Sequence, residues 1–142
     1  AGQADIVDLA QDLVGRSRIN FTPNTLEYLQ KGGRIGRASA LVGSLLSIKP
    51  ILGVDVDGVV VSVDRKRTAA KARERLLEIA AEEAVETVAV LHTGADDVEE
   101  FADQVAEATR VPREEIEIIL TGPVAGAHVG PDMVGVTRIL AG

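Results

Sequence analysis

Apolar residues recur along this chain at the spacings typical of amphipathic helices. Three segments place them three and four residues apart, at residues 5–16, 69–84 and 98–105. In the first segment, the apolar stripe consists of Ile6, Leu9, Ala10 and Leu13. We therefore predict three helices, each with one apolar face.

Shorter runs rich in β-branched residues predict strands. They lie at residues 19–22, 50–54, 59–63, 87–91, 116–120 and 133–140. Asp57 and Gly58 stand between the second run and the third, and Asp-Gly is a strong signal for an antiparallel hairpin. Helices that alternate with the later strands require two strand-helix-strand crossovers. The pattern predicts an α/β fold, a mixed β-sheet with helices packed on it.

A further helix is predicted between the first two strands by its capping signals. Asn24 followed by Glu27 has the form of a capping box. We expect Gly32 and Gly33 to end this helix, because glycine adopts positive φ without a Cβ penalty. Residues 36–47 are rich in small and apolar side chains, which predicts a helix that packs closely or leaves room for a ligand.

The composition limits the class of protein. The 142 residues are predicted to form a single domain, 1–142, and contain no cysteine. Phe21, Tyr28 and Phe101 are the only Phe, Tyr or Trp residues, so the core is aliphatic. Such a core could surround an alkyl chain but offers little for stacking bases; an ordinary apolar core is the alternative. Without a run of 18 apolar residues or a signal peptide, we expect no membrane span and a cytoplasmic location.

Charge is distributed unevenly along the chain. Between residues 16 and 75, Lys and Arg outnumber Asp and Glu by twelve to five, whereas between 76 and 117 they are outnumbered by thirteen to two. The basic part either forms one surface for an anion or an acidic partner, or consists of separate solvated side chains. Its candidate residues are Arg34, Arg37, Lys49, Arg65, Lys66 and Arg67. The net charge of −7 argues against nucleic acid as a partner.

Candidate chemistry is concentrated near the C-terminus. Gly122, Gly126 and Gly130 occur every fourth residue around His128. This predicts either a glycine-rich bend that offers N–H groups and an imidazole to an anion, or a tight connection with an incidental histidine. His92, beside Thr93, could do similar work, but we interpret it as a structural residue at a strand end. No phosphate-binding loop, zinc-protease or serine-hydrolase motif is present.

Four carboxylates at residues 96–100 have the residue types of a metal site. They also lie at a predicted helix start, where Asp96 and Glu99 have capping-box spacing and negative charge favours the helix dipole. We interpret them as structural and predict no metal.

The motifs together resemble one known family. LEYLQKGGRIG at 26–36, SLLSIKPIL at 44–52, the Asp-Gly turn, the basic cluster at 65–67 and HVGP at 128–131 are similar to motifs of the DegV family of bacterial fatty-acid-binding proteins. Their order and spacing agree from about residue 20 to the C-terminus. The family's domain is about twice as long, so this chain resembles the C-terminal domain of a two-domain DegV protein, with the N-terminal domain absent.

The resemblance implies a carrier that is not itself an enzyme and uses no cofactor. Its ligand is a long-chain fatty acid, whose carboxylate is presented to a separate fatty acid kinase subunit for acyl-phosphate formation. His128 and Gly130 match the family motif beside the carboxylate, and Arg34 and Arg67 match arginines that face the kinase. A further expected partner is the N-terminal half of the family domain, or a companion chain.

One departure and two alternatives accompany this resemblance. Asp132 stands where the family usually has glycine, and it adds a negative charge near the expected carboxylate. The first alternative is an acyl or phosphoryl transfer enzyme that uses His128 as acid and base. The second is a partner-binding module without a ligand.

Overall fold

The computed structural model describes residues 2–41 and 48–142. Its helices are α1 (Gln3–Arg16), α2 (Glu27–Lys31), α3 (Ala69–Ala81), α4 (Val98–Thr109) and α5 (Pro123–Val129), with 3₁₀ turns at Gly36–Leu41 and Arg113–Glu115. Its strands are β1 (Ser17–Thr22), β2 (Lys49–Val54), β3 (Val60–Lys66), β4 (Val85–His92), β5 (Glu117–Leu120) and β6 (Val134–Leu140). Every predicted strand is present, within about three residues of its expected bounds.

The strands form one mixed sheet in the order β3-β2-β1-β6-β4-β5. Neighbouring strands are antiparallel except β4 and β5, which are parallel. Helix α3 leads from β3 to β4 and α4 leads from β4 to β5, which are the two predicted crossovers. The predicted hairpin is formed by β2 and β3. The predicted fold class is therefore confirmed.

Side chains alternate between two apolar layers on the two faces of the sheet. The first cluster lies under α3 and α4, and its fully buried members include Ile51, Val90, Val134, Leu76 and Phe101. The second cluster lies on the opposite face, under α2 and the 3₁₀ turn at Gly36–Leu41. It consists of Phe21, Leu26, Leu29, Ala38, Leu41, Leu52 and Met133, bordered by Ile35, Val60, Leu91 and Val129.

The predicted start of α2 is wrong. The hydroxyl of Thr25, rather than the side chain of Asn24, accepts a hydrogen bond from the N–H of Glu27 (3.2 Å). Asn24 instead accepts hydrogen bonds from Lys49 Nζ. They reach its main-chain carbonyl oxygen (3.3 Å) and its side-chain Oδ1 (3.5 Å). At the other end of α2 the positive φ belongs to Gly33, at 69°, whereas the residue before it has φ −81°.

Two other expectations also need correction. Residues 36–41 form a 3₁₀ turn rather than the start of an α-helix, and residues 42–47 lie outside the described part of the chain. The segment around His128 is a helix, not a glycine-rich bend. The N–H groups of two of its glycines are used inside the helix, as Gly126 donates to Gly122 O (3.0 Å) and Gly130 to Gly126 O (2.9 Å).

Three carboxylates before and within α4, those of Asp97, Glu99 and Asp103, make ion pairs with arginines. Asp97, rather than Asp96, occupies the N-cap position, and its side chain pairs with Arg73 instead of capping the helix. Glu99 pairs with Arg113 (2.7 Å). Within residues 2–41 and 48–142, no group of His, Asp or Glu side chains is arranged to hold a metal ion.

Candidate ligand site around His128

Helix α5 determines where His128 lies. Pro123 occupies its first turn, where a proline leaves no intrahelical hydrogen bond unmade. Gly130 ends it with φ 82° and ψ 177°, a conformation essentially restricted to glycine. His128 lies in the last turn of this helix.

The imidazole of His128 packs against the turn that ends α2. A Cβ built on Gly32 would lie 2.5 Å from His128 Nδ1, so glycine is required for this contact. Nδ1 is buried and has no hydrogen-bond partner among the described residues. A buried imidazole nitrogen without a partner is costly, and an oxygen atom of a ligand would stabilise it once the ring turned to expose it.

Thr93, directly after β4, fixes the backbone that follows His128. Its hydroxyl donates to Gly130 O (2.7 Å) and accepts a hydrogen bond from the N–H of Met133 (2.9 Å). Its own N–H donates to Met133 O (3.1 Å). The end of α5 is therefore tied to the sheet through one side chain.

The other histidine has a local structural role. His92 Nδ1 accepts hydrogen bonds from the N–H groups of Gly94 (3.1 Å) and Ala95 (3.2 Å). This nitrogen is thus occupied by the loop that leads into α4. The arrangement agrees with the interpretation of His92 as a strand-end residue.

Apolar side chains lie close to His128 in α5 and in α2. Val129 borders the second cluster, to which Leu29 of α2 belongs. The ring of Tyr28 lies against Gly130, and a Cβ there would be 2.5 Å from Tyr28 Cδ2. An apolar cluster next to an unpartnered imidazole suits a ligand with a hydrophobic part and a polar head.

The structure separates the basic residues into two groups instead of one surface. Gly36 packs against the backbone of Val60, and Arg37 pairs with Asp55 (2.9 Å) at the turn end of the β2-β3 hairpin. Arg34, three residues earlier in the chain, is exposed. At the open end of the same hairpin, Lys49 lies opposite Lys66, followed by exposed Arg67. Arg34 and Arg67 therefore belong to different ends of this hairpin.

A separate cleft lies away from His128. It is a cleft of about 510 Å³ between α3 and α4. Charged side chains, including Arg73, Glu74, Asp97 and Glu100, line it beside Leu77 and Phe101. Charged walls do not suit an alkyl chain, since their charges would be buried against the tail.

Asp132 adopts the left-handed conformation, with φ 60°. It lines a small cleft together with Lys49, Arg73 and Val134. Val134 belongs to the first cluster, whereas Val129 beside His128 borders the second. Asp132 therefore lies in a cleft that also contains the cationic side chains of Lys49 and Arg73.

Tyr28, Gly32 and Thr93 are the residues of this site whose contacts were not anticipated. Tyr28 is separated from Gly130 by about a hundred residues, and Thr93 from the same glycine by 37. No local pattern reports such contacts. The helix itself did have a signal, because Pro123 directly after Gly122 is typical of a helix N-terminus.

Fold and site together define a class: a mixed-sheet α/β domain with a small amphiphilic corner formed by two helix ends. The family model described as "Uncharacterised protein, DegV family" matches residues 2–140. The chain belongs to the DegV family.

Individual relatives agree with this assignment. A DegV domain-containing protein of Streptomyces coelicolor is 39% identical over 137 residues, which cover 93% of this chain and 48% of that protein. The crystal structure of a fatty acid binding DegV family protein from Streptococcus agalactiae superposes with a TM-score of 0.87 at 31% identity, over 99% of this chain and 50% of that one. A stearic acid-binding protein from Eubacterium ventriosum gives 0.83 at 25% identity, over 98% and 50%. The chain thus spans about half the length of these relatives.

Proposed function

We propose that this chain is one half of a fatty-acid-binding DegV protein, and that His128 contacts the carboxylate of a long-chain fatty acid. The observation that carries the proposal is the buried, unpartnered Nδ1 of His128 beside an apolar cluster. Similar proteins support the proposal, because proteins of the same fold bind fatty acids, stearic acid among them. Gly130 contributes by having no side chain, because its N–H and carbonyl are already hydrogen-bonded.

The two ends of such a ligand would contribute differently. Burial of a 16-carbon tail yields on the order of 10 kcal/mol at ~0.8 kcal/mol per CH₂, before the entropy of binding is subtracted. A hydrogen bond to a carboxylate contributes about 1.5–3 kcal/mol. The tail therefore supplies most of the affinity, and His128 fixes the position of the head.

The proposal includes a second half. We place this chain as the C-terminal domain, and the N-terminal half of the family domain, or a companion chain, supplies further contacts to the carboxylate. The observation behind this is that the chain spans about half of its relatives.

The proposal also includes a kinase. The chain itself catalyses nothing; in the cytoplasm it presents the carboxylate to a separate fatty acid kinase, which forms the acyl phosphate. Arg34 and Arg67 are exposed, as side chains that meet a partner must be. Because they lie at different ends of the β2-β3 hairpin, we expect them to contact different parts of that kinase.

The binding experiment uses a chimera in which this chain replaces the matching half of the Streptococcus agalactiae protein. We expect lipid extraction followed by mass spectrometry to recover fatty acid from the purified chimera. His128→Gln should weaken stearate binding by about 10- to 100-fold, the equivalent of one charge-assisted hydrogen bond. Val124→Gln introduces the same side chain at an exposed position of α5 and should leave affinity unchanged.

Two results would overturn the binding proposal. One is a folded chimera without fatty acid, when the Streptococcus agalactiae protein prepared in parallel retains it. The other is equal stearate affinity in the His128 and Val124 variants. Circular dichroism of each variant establishes that the proteins compared are folded.

A second experiment tests the kinase step and the transfer-enzyme alternative together. The loaded chimera is incubated with ATP, with and without a purified fatty acid kinase, and acyl phosphate is measured. We expect product only when the kinase is present, and less product with Arg34→Glu or Arg67→Glu at unchanged stearate affinity. Product without the kinase would instead favour an enzyme that uses His128.

A further inference from the structure

Helix α1 carries an apolar face that is open to solvent in this chain. Ile6, Leu9 and Val14 are 61%, 57% and 75% exposed, and none of the 14 residues of α1 is buried. At 100° per residue, the apolar side chains fall on one side of the helix and its aspartates on the other. We call the apolar side the α1 face; it consists of Ile6, Val7, Leu9, Leu13 and Val14.

The rest of the described chain holds α1 mainly by its last turn. Arg16 Nη1 donates to Leu140 O (2.7 Å) and pairs with Glu86 (2.7 Å). The hydroxyl of Ser17, directly after the helix, donates to Leu13 O (2.6 Å). Helices of this length are marginal in water unless an apolar face packs on something. The α1 face therefore has the properties of a contact surface.

The length of the relatives identifies the occupant. This chain covers 48% of the Streptomyces coelicolor protein and 50% of the Streptococcus agalactiae chain. We infer that the α1 face is the surface on which the other half of the family domain packs. The inference rests on the proposal that this chain is one half of a DegV protein. Asp5, Asp8 and Asp12, on the opposite side of the helix, remain in water when the α1 face is covered.

The test measures association of the two halves in the absence of fatty acid. This chain is immobilised, and the half of the Streptomyces coelicolor protein that it does not match is passed over it. Leu9→Glu puts a charge on the α1 face and should weaken the interaction at least tenfold. Gln11→Glu puts the same charge on the polar side of α1 and should leave the interaction unchanged.

Both variants are expected to fold, because the substituted side chains are exposed in this chain. Thermal unfolding of each variant alone, followed by circular dichroism, checks this. Equal binding by wild type, Leu9→Glu and Gln11→Glu would overturn the inference, and so would absence of binding by wild type. Sedimentation velocity of this chain alone tests for a third contrary result. The inference is overturned if this chain forms a dimer that Leu9→Glu abolishes and the relative's half does not bind.

A fused protein provides a second measurement that does not need the relative's half to fold alone. In a fusion of that half to this chain, amide hydrogen exchange across Gln3–Arg16 should slow at least tenfold relative to this chain alone. Leu9→Glu should restore fast exchange, and Gln11→Glu should not. Unchanged exchange in the fusion would contradict the inference. Since no fatty acid is measured, failure here is distinct from failure of the binding proposal.

Discussion

The ring of Tyr28, in α2, lies against the Cα of Gly130, at the end of α5. A Cβ on Gly130 would be 2.5 Å from Tyr28 Cδ2 and 3.0 Å from Cε2, and both distances are shorter than a normal contact. This contact joins the two helix ends that form the candidate site. The position of His128 therefore depends on a residue that has no side chain.

Gly130→Ala should destabilise the protein by about 2 kcal/mol or more, because φ 82° with ψ 177° is strained for alanine and the methyl group displaces Tyr28. Urea unfolding measures the change. Gly126→Ala is the matched control in the same helix, where an added Cβ meets nothing within 4 Å. That variant should be neutral or more stable by about 0.5–1 kcal/mol. Equal loss in both variants would contradict the argument.

Thr93→Val removes the hydroxyl that links Gly130 to Met133. The carbonyl of Gly130 and the N–H of Met133 then lose a partner in a partly buried place, which should cost about 1–3 kcal/mol in the free energy of unfolding. Thr93→Ser keeps the hydroxyl and should lose less than half of that. If serine costs as much as valine, loss of the methyl group matters as much as loss of the hydrogen bonds, and the prediction is wrong.

Features encoded by neighbouring residues could be predicted from the sequence, and the fold is mostly of this kind. The β2-β3 hairpin was predicted because Asp57-Gly58 specifies the turn locally, and the long helices because their apolar spacing spans several turns. The cap of α2 was not predicted correctly, since Thr25 and Asn24 are both good hydrogen-bond acceptors. Only the tertiary contact of Asn24 with Lys49 decides between them.

The site is less predictable because its contacts join distant segments. His128 and Gly130 could be singled out from the motif, but the partners of these two residues are Gly32, Tyr28 and Thr93. The glycine spacing around His128 suggested a bend because Gly126 lowers helix propensity. Packing of α5 against α2 and the proline at its start outweigh that cost of about 1 kcal/mol.

Gly32→Ala should displace the imidazole of His128, since the new Cβ would lie 2.5 Å from Nδ1 and the backbone of Gly32, at φ −81°, accepts alanine without strain. The chain has two histidines, so the ring resonances of His92 provide an internal control in NMR spectra. We expect the His128 resonances to shift and those of His92 to stay. Two unmoved sets of resonances would show that the turn, not the imidazole, adapts.

Asn20 and Arg138 form a buried polar pair across β1 and β6. Arg138 Nη2 donates to Asn20 Oδ1 (3.2 Å), and Nη1 is buried without a partner among the described residues. Burial lowers the pKa of Arg138, although Glu83 acts in the opposite direction. Asn20→Ala should cost about 1–3 kcal/mol, because it leaves the guanidinium with still fewer partners.

A double variant tests this explanation of the Asn20–Arg138 pair. Replacing the buried cation as well, in Asn20→Ala/Arg138→Met, should raise the denaturation midpoint above that of Asn20→Ala alone. If the second substitution lowers the midpoint further, water hydrogen-bonds to the guanidinium of Arg138, and the buried cation does not destabilise the fold.

Asp55 should contribute to the acid sensitivity of the fold. Hydrogen bonds from the N–H of Val59 and of Asp57 (3.0 and 2.9 Å), together with Arg37, lower its pKa below the ordinary value of an aspartate, although desolvation opposes this. Because the pKa is lower in the folded than in the unfolded state, the stabilisation is complete above about pH 4 and is lost as the pH falls through the folded pKa. Urea titrations between pH 5 and 2 should therefore give a shallower acid limb for Asp55→Asn.

Arg37→Met separates the two causes of this effect. The Arg37 side chain is 67% exposed, so its ion pair with Asp55 should contribute little, and the variant should keep most of the wild-type pH dependence. The backbone hydrogen bonds remain in it, and they are the first cause of the lowered pKa. If Arg37→Met flattens the acid limb as much as Asp55→Asn does, the ion pair rather than the turn holds the carboxylate ionised.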